Sequence, residues 1–164
     1  MIYSIESNKA SKEIKAMGKT DLRFNDDMLA YCGLYCEQCS FKLAYDENDQ
    51  EHLKHIPYQF VQENLSDYNC KGCKKDNMYP NHCRIKNCAS VKNINSCADC
   101  STFPCKYINE FENDGKPHHK NAVENLRSIR ENGIVLWYEK IKSSLICICG
   151  KKQSWYYTCP IHEK

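Results

Sequence analysis

No stretch of this 164-residue chain is long and apolar enough to approach the roughly 20 residues of a membrane-crossing helix. The opening segment, MIYSIESNKASKEIKAMGKTDLRF, also lacks the apolar core of a secretory leader. Both absences favour a cytoplasmic protein with reduced thiols and no membrane partner. There is no phosphate-binding loop, no G-x-G-x-x-G, no H-E-x-x-H and no nucleophile elbow. Charge of one sign is scarce too. A net charge of +2 gives no electrostatic case by itself for a nucleic-acid or membrane partner. With 41% hydrophobic residues and a mean hydropathy of −0.71, the chain can build only a thin core, and a thin core needs cross-links.

Cysteine supplies them. There are thirteen, an odd number that sits badly with a closed disulfide framework. They recur as C-x2-C pairs, whose two thiolates fit one tight turn at adjacent corners of a tetrahedral metal site. The densest stretch is CRIKNCASVKNINSCADCSTFPC, with Cys83, Cys88, Cys97, Cys100 and Cys105 in 23 residues. Its aliphatic content is too low to order it by burial alone, so ligation must do so.

Taken from the start, residues 1–25 form a polar arm. MLAYCGLYCEQCSF follows, with Cys32, Cys36 and Cys39 in C-x3-C-x2-C spacing, Gly33 allowing a turn, and Tyr31, Tyr35 and Phe41 as packing or shielding rings. Residues 42–66 read as one or two helices with Leu53, Ile56, Phe60, Val61 and Leu65 on the apolar face, Asn48 or Asp49 as a cap and Pro57 as a break. His52 and His55 are expected on the solvent side. Cys70 and Cys73 enclose Gly72, which frees backbone N–H groups to point at sulfur. His82 is a weaker ligand choice than its neighbour Cys83. From Cys70 to Lys106 there are seven basic residues and two acidic ones, a surplus that offsets the negative charge of metal-bound thiolates.

The ordered series YCGLYCEQC, CKGC, CRIKNCA and CADCSTFPC resembles the uncharacterised cysteine-rich family known as domain of unknown function 3795. The resemblance spans about residues 29–113 and includes ten cysteines, Cys32, Cys36, Cys39, Cys70, Cys73, Cys83, Cys88, Cys97, Cys100 and Cys105, together with Pro104. It implies a fold-level grouping and metal binding, and no particular reaction. Two tetrahedral sites would use eight of these thiols and leave two over, while three would need twelve donors, with histidines or shared sulfurs filling in; Cys97 with Cys100, and Cys70 with Cys73, are each expected to share an ion. The remaining partition is open.

Further on, KYINEFEND is a short helical pattern closed by Gly115 and Pro117, and HHKNAVENLRSIRENG a longer one with Ala122, Val123, Leu126 and Ile129 inward and Gly133 at its end. His118 and His119 at its entrance are expected to be solvated. IVLWYEKIKSSL continues as a helix packed through Ile134, Leu136 or Trp137, Ile141 and Leu145. The tail ICICGKKQSWYYTCPIHEK places Cys147, Cys149, Cys159 and His162 around a glycine turn and the strand-like SWYYT, the pattern of a miniature zinc ribbon. Its first pair is C-x-C, which makes Cys149 the firmer ligand. Trp155, Tyr156 and Tyr157 are assigned to packing on the Trp137 helix in preference to stacking on bases.

The expected architecture is therefore α+β: a polar arm (1–25), a mostly helical cysteine-rich domain with irregular metal-binding loops (26–145) and a zinc-ribbon-like tail hairpin (146–164). The expected cofactor is about two to three zinc ions, structuring a surface for a protein or nucleic-acid partner. An iron–sulfur cluster in electron transfer or redox sensing is the first alternative, since Cys32, Cys36 and Cys39 have the spacing of a cluster-binding triad. A metal-dependent enzyme is the second; the sequence shows no general base beside a metal and singles out no catalytic residue.

Overall fold

The clearest apolar period in the chain becomes the axis of the protein. The computed structural model describes residues 23–57, 64–75 and 82–162. Most of the polar arm, with Phe60, Val61 and the connector around Met78, lies outside these residues, and Leu65 is described in its backbone only.

Among the described residues the α-helices are, in order, α1 Ser40–Asp46, α2 Glu51–Lys54, α3 Arg84–Val91, α4 Lys106–Glu112, α5 Pro117–Asn132 and α6 Ile134–Leu145. Short 3-10 turns at Asp26–Met28, Cys36–Gln38, Leu65–Tyr68 and Cys97–Asp99 lie between or before them. α5 starts with Pro117 at its first turn, where a missing N–H costs nothing. It buries Ala122, Val123, Leu126 and Ile129 on one face and stops at Gly133, whose φ of 83° suits glycine.

Around α5 the core gathers Leu29, Tyr35, Ile85, Ala98, Ile108, Trp137, Tyr138 and Leu145. Trp137 meets Tyr35 edge to face at 5.6 Å, and its indole N–H donates to Asn125 Oδ1 at 2.9 Å. Phe24, from the end of the arm, stacks on Tyr35 and leans on Tyr138. On α6, Leu136 is exposed while Tyr138 is buried, because Tyr138 shares the inward stripe with Trp137. α2 ends at Lys54, and Asp49 Oδ1 accepts from Glu51 N at its start.

Two expectations about histidine are corrected. His52 is fully buried beneath the Tyr157 ring, 4.9 Å away, while His55 is exposed. His118 and His119 are buried as well. His119 stacks on Phe111 and pairs with Asp114 at 2.8 Å, and His118 lies against Trp155. Each is covered by an aromatic ring from elsewhere in the chain, which no local pattern announces.

The described residues contain isolated antiparallel bridges, Leu29 with Tyr35, Ile146 with Lys152 and Ser154 with Tyr157, and no extended strand. SWYYT is a tight turn rather than one side of a hairpin: Ser154 N donates to the Tyr157 carbonyl across it. Its rings pack on His118 and His52. The segment from residue 146 is stitched to the helices by a buried Ser154–Ser40 hydroxyl contact of 2.9 Å and by Trp155 N donating to the Gln38 carbonyl. Lys151 adds an ion pair to Asp49. Among the described residues no helix is long and apolar enough to cross a membrane.

Candidate metal centres

All thirteen cysteines are free thiols, and folding sorts most of them into groups. The tightest is in the tail. Cys147 N donates to the Lys151 carbonyl and Gly150 N to the Cys147 carbonyl, a turn made possible by the positive φ of Gly150. This brings Cys147 and Cys149 together despite their C-x-C spacing. At the other end His162 N donates to the Cys159 carbonyl. The donor atoms of Cys147, Cys149, Cys159 and His162 all lie within 4.8 Å of one another.

The separations can be compared with ligation geometry. Cys149 Sγ is 3.7 Å from Cys159 Sγ, and Cys159 Sγ is 3.6 Å from His162 Nδ1. Tetrahedral bonds of about 2.3 Å to sulfur and 2.0–2.1 Å to nitrogen require edges of about 3.8 and 3.6 Å. These two edges fit a zinc ion. His162, by hydrogen bonding, holds the Cys159 thiol down at about 6, so a thiolate ligand is favoured at neutral pH.

Less closely gathered, two C-x2-C pairs far apart in sequence, Cys36 with Cys39 and Cys70 with Cys73, meet through Cys36 and Cys73. Cys73 N donates to Cys36 Sγ at 3.3 Å. Gly72, at φ 105°, turns its own N–H toward Cys70. A hydrogen bond from the Cys73 thiol, with Lys42 and Lys74 nearby, holds Cys36 below the ordinary thiol range. Burial pushes Cys39 up to about 12, and the charges of Cys36 and Cys70 add to it. Burial raises Cys70 also, and Cys36 contributes. A cation among these sulfurs would reverse the upward shifts.

The third group lines a cavity of about 20 Å³ between α3 and α4, room for about one water-sized occupant. Cys88, Cys97, Cys100 and Cys105 all border it. Burial pushes Cys97 up to about 12, with Cys105, Cys100 and Cys88 each raising it further. Cys100 is lowered instead, first by the Thr102 hydroxyl and then by Lys92, whose Nζ lies 3.2 Å from the sulfur. The basic surplus thus reaches a cysteine sulfur directly at this point. Arg130, near the end of α5, donates to the carbonyls of Ala98 and Cys100 at 3.2 and 2.8 Å and so fixes this turn to the core.

Cys32 and Cys83 lie close to the last two groups: Cys83, Cys36 and Cys97 act on Cys32, and Cys32 acts on Cys73. Cys32 is buried among core side chains and is pushed up to about 12 by that burial, with Cys83 the first of its sulfur neighbours to matter. Cys83 caps α3, accepting from Lys86 N at 3.5 Å. Thr102 and Arg130 escaped the sequence reading. Thr102 had a local signal, a hydroxyl two residues after a thiol; Arg130, thirty residues on, had none.

The fold and these sites define a small helical protein organised by clustered thiols. The family model described as Protein of unknown function (DUF3795) matches residues 28–110, and the chain belongs to that family. No curated protein and no solved structure matches the chain.

Proposed function

We propose that this is a structural zinc protein with three tetrahedral sites. The first is formed by Cys36, Cys39, Cys70 and Cys73, the second by Cys88, Cys97, Cys100 and Cys105, and the third by Cys147, Cys149, Cys159 and His162. The observation that carries the reading is the tail set, whose 3.7 and 3.6 Å separations match the edges of a zinc tetrahedron. Every site has four protein donors, the closed arrangement of structural rather than catalytic zinc. In this reading the tail is a zinc-ribbon-like module reduced to two ligand turns.

The ions shape a surface for a protein or nucleic-acid partner in the cytoplasm. Ile148 and Ile161, one on each ligand turn of the tail, are 83% and 80% exposed. Apolar residues held outward by a metal-fixed turn suit contact with a partner.

The test is elemental analysis with a visible spectrum on protein purified without oxygen or chelators. Three zinc ions per chain and no visible colour support the reading. Iron with acid-labile sulfide and a broad visible band would replace it with the iron–sulfur alternative. An occupied site with a solvent ligand would favour the metal-dependent enzyme.

A further inference from the structure

A cleft lies between α5, α6 and the tail, with Cys147 and His162 of the tail donor set among its lining residues. Its volume is about 720 Å³, within the roughly 300–1,000 Å³ of small-molecule sites. Leu34, Ala122, Ile141 and Ile146 give it an apolar floor. One wall is aromatic: Trp155 lines the cleft and stacks on His118 with ring centres 4.5 Å apart and planes 18° from parallel. Because Trp155 is only half-buried, part of the indole that His118 leaves uncovered borders the opening.

The polar lining divides into two kinds. Gln38, Asn125 and Gln153 are already tied down: Gln38 to the Ser144 hydroxyl, Asn125 to the Gly33 carbonyl and Trp137, and Gln153 to the Ser144 carbonyl. They hold the wall rigid, which favours binding by cutting the ordering cost. Asn121, Ser143 and Thr158 also line the cleft. Their side chains have no hydrogen-bond partner among the described residues, so they can serve a ligand.

Charge narrows the choice of occupant. Neither lysine nor arginine is among the described lining residues, and Glu124 is their one carboxylate. His118 is kept neutral at physiological pH, chiefly by its burial. A phosphate or carboxylate would meet Glu124, with no lysine or arginine in the lining to pair with. A flat, uncharged molecule with donors and acceptors on its edges would meet an aromatic surface and free amide and hydroxyl groups.

We propose that this cleft binds an uncharged planar heterocycle of the nucleobase type, stacked on Trp155 and hydrogen-bonded by Asn121, Ser143 and Thr158. The proposal stands on the cleft walls and does not depend on which metal the tail holds. Adenosine is the probe, titrated into the full-length protein as purified, with tryptophan fluorescence and equilibrium dialysis as readouts and AMP as the charged comparison. Saturable binding of one adenosine per chain is expected, with AMP at least about fivefold weaker, the ratio that roughly 1 kcal/mol of repulsion gives. Trp155→Ala should weaken adenosine by about tenfold or more, the scale of one lost base–aromatic stack. Should that variant not fold, Asn121→Ala, at an exposed helical position, should weaken adenosine about fivefold, the effect of one hydrogen bond. In Glu124→Gln the AMP penalty should shrink while adenosine is unchanged.

The proposal is overturned if folded protein retains no adenosine, if AMP binds the unaltered protein as tightly, or if folded Trp155→Ala or Asn121→Ala binds adenosine normally. Tetramethylammonium taken up in place of adenosine would also overturn it, showing a cation site instead. Metal content measured on the same samples separates the two readings. Folded, metal-free protein that still binds adenosine would defeat the zinc proposal and leave this one standing.

Discussion

Gly33 lies so close to Ala122 that a Cβ atom on residue 33 would sit 2.1 Å from the Ala122 carbonyl oxygen. The loop carrying Cys32 and Cys36 therefore rests directly on the backbone of α5, and Gly33 also has a φ of 90°. Gly33→Ala should destabilise the protein by about 3 kcal/mol or more, adding a left-handed conformation of about 1–2 kcal/mol to overpacking of about 1–3 kcal/mol. Gly150 has a similar φ and nothing within 4 Å of such a Cβ. Gly150→Ala should cost only about 1–2 kcal/mol. Urea unfolding of the two variants checks the contrast.

Cysteine-to-serine variants test how the thiols are divided. Cys73→Ser and Cys100→Ser should each lower the zinc content by one ion, whereas Cys32→Ser and Cys83→Ser should leave it unchanged. A missing ion in either of the latter would mean that the sets are wrongly drawn. Cys159→Ser should lose the tail ion and also lower the melting temperature of the helical part, because Ser154, Trp155 and Tyr157 tie the tail to Ser40, Gln38 and His52.

Chelation should be drastic. Structural zinc contributes about 10–16 kcal/mol per ion in small domains, as much as the roughly 5–15 kcal/mol total stability of an ordinary domain. A strong chelator is expected to abolish the cooperative thermal transition, and restored zinc to return it. An unchanged melting curve in metal-free protein would show that the sulfur groups are not structural.

Acid should destabilise the protein in a definable window. Burial, with His119 and Lys116 nearby, pulls His118 down to about 3 against the opposing charge of Asp114, while an unfolded histidine titrates near 6.5. Between about pH 6.5 and about pH 3 the unfolded chain binds more protons, so stability falls as the pH is lowered through that range. Burial depresses His52 also, with the same sign. His118→Gln should therefore show a shallower loss of melting temperature from pH 7 to pH 5 than the unaltered protein, with metal content followed in parallel.

Arg130→Ala removes the donor to the Ala98 and Cys100 carbonyls. A cost of about 1.5–3 kcal/mol is expected for the lost charged hydrogen bonds. The ion bound with Cys97 and Cys100 should also leave faster to a chelator dye, while release from the tail stays unchanged.

What the sequence determined by itself was local. A C-x2-C pair is set by a few consecutive dihedrals, so the turn at Cys70–Cys73 could be read directly, as could Gly72 aiming N–H at sulfur. The period of Ala122, Val123, Leu126 and Ile129 marked α5, with Pro117 and Gly133 at its limits. The four tail donors could be grouped because fewer than twenty residues separate them. Tertiary structure decided which distant elements meet. Cys36 meets Cys73 across more than thirty residues, a closure made by the packing of the whole chain and invisible to spacing. The same packing placed Cys32 near Cys83, Cys36 and Cys97 and laid Tyr157, Phe111 and Trp155 over three histidines that local polarity had assigned to solvent. It also made SWYYT a turn in place of a strand, with its rings packed on His118 and His52.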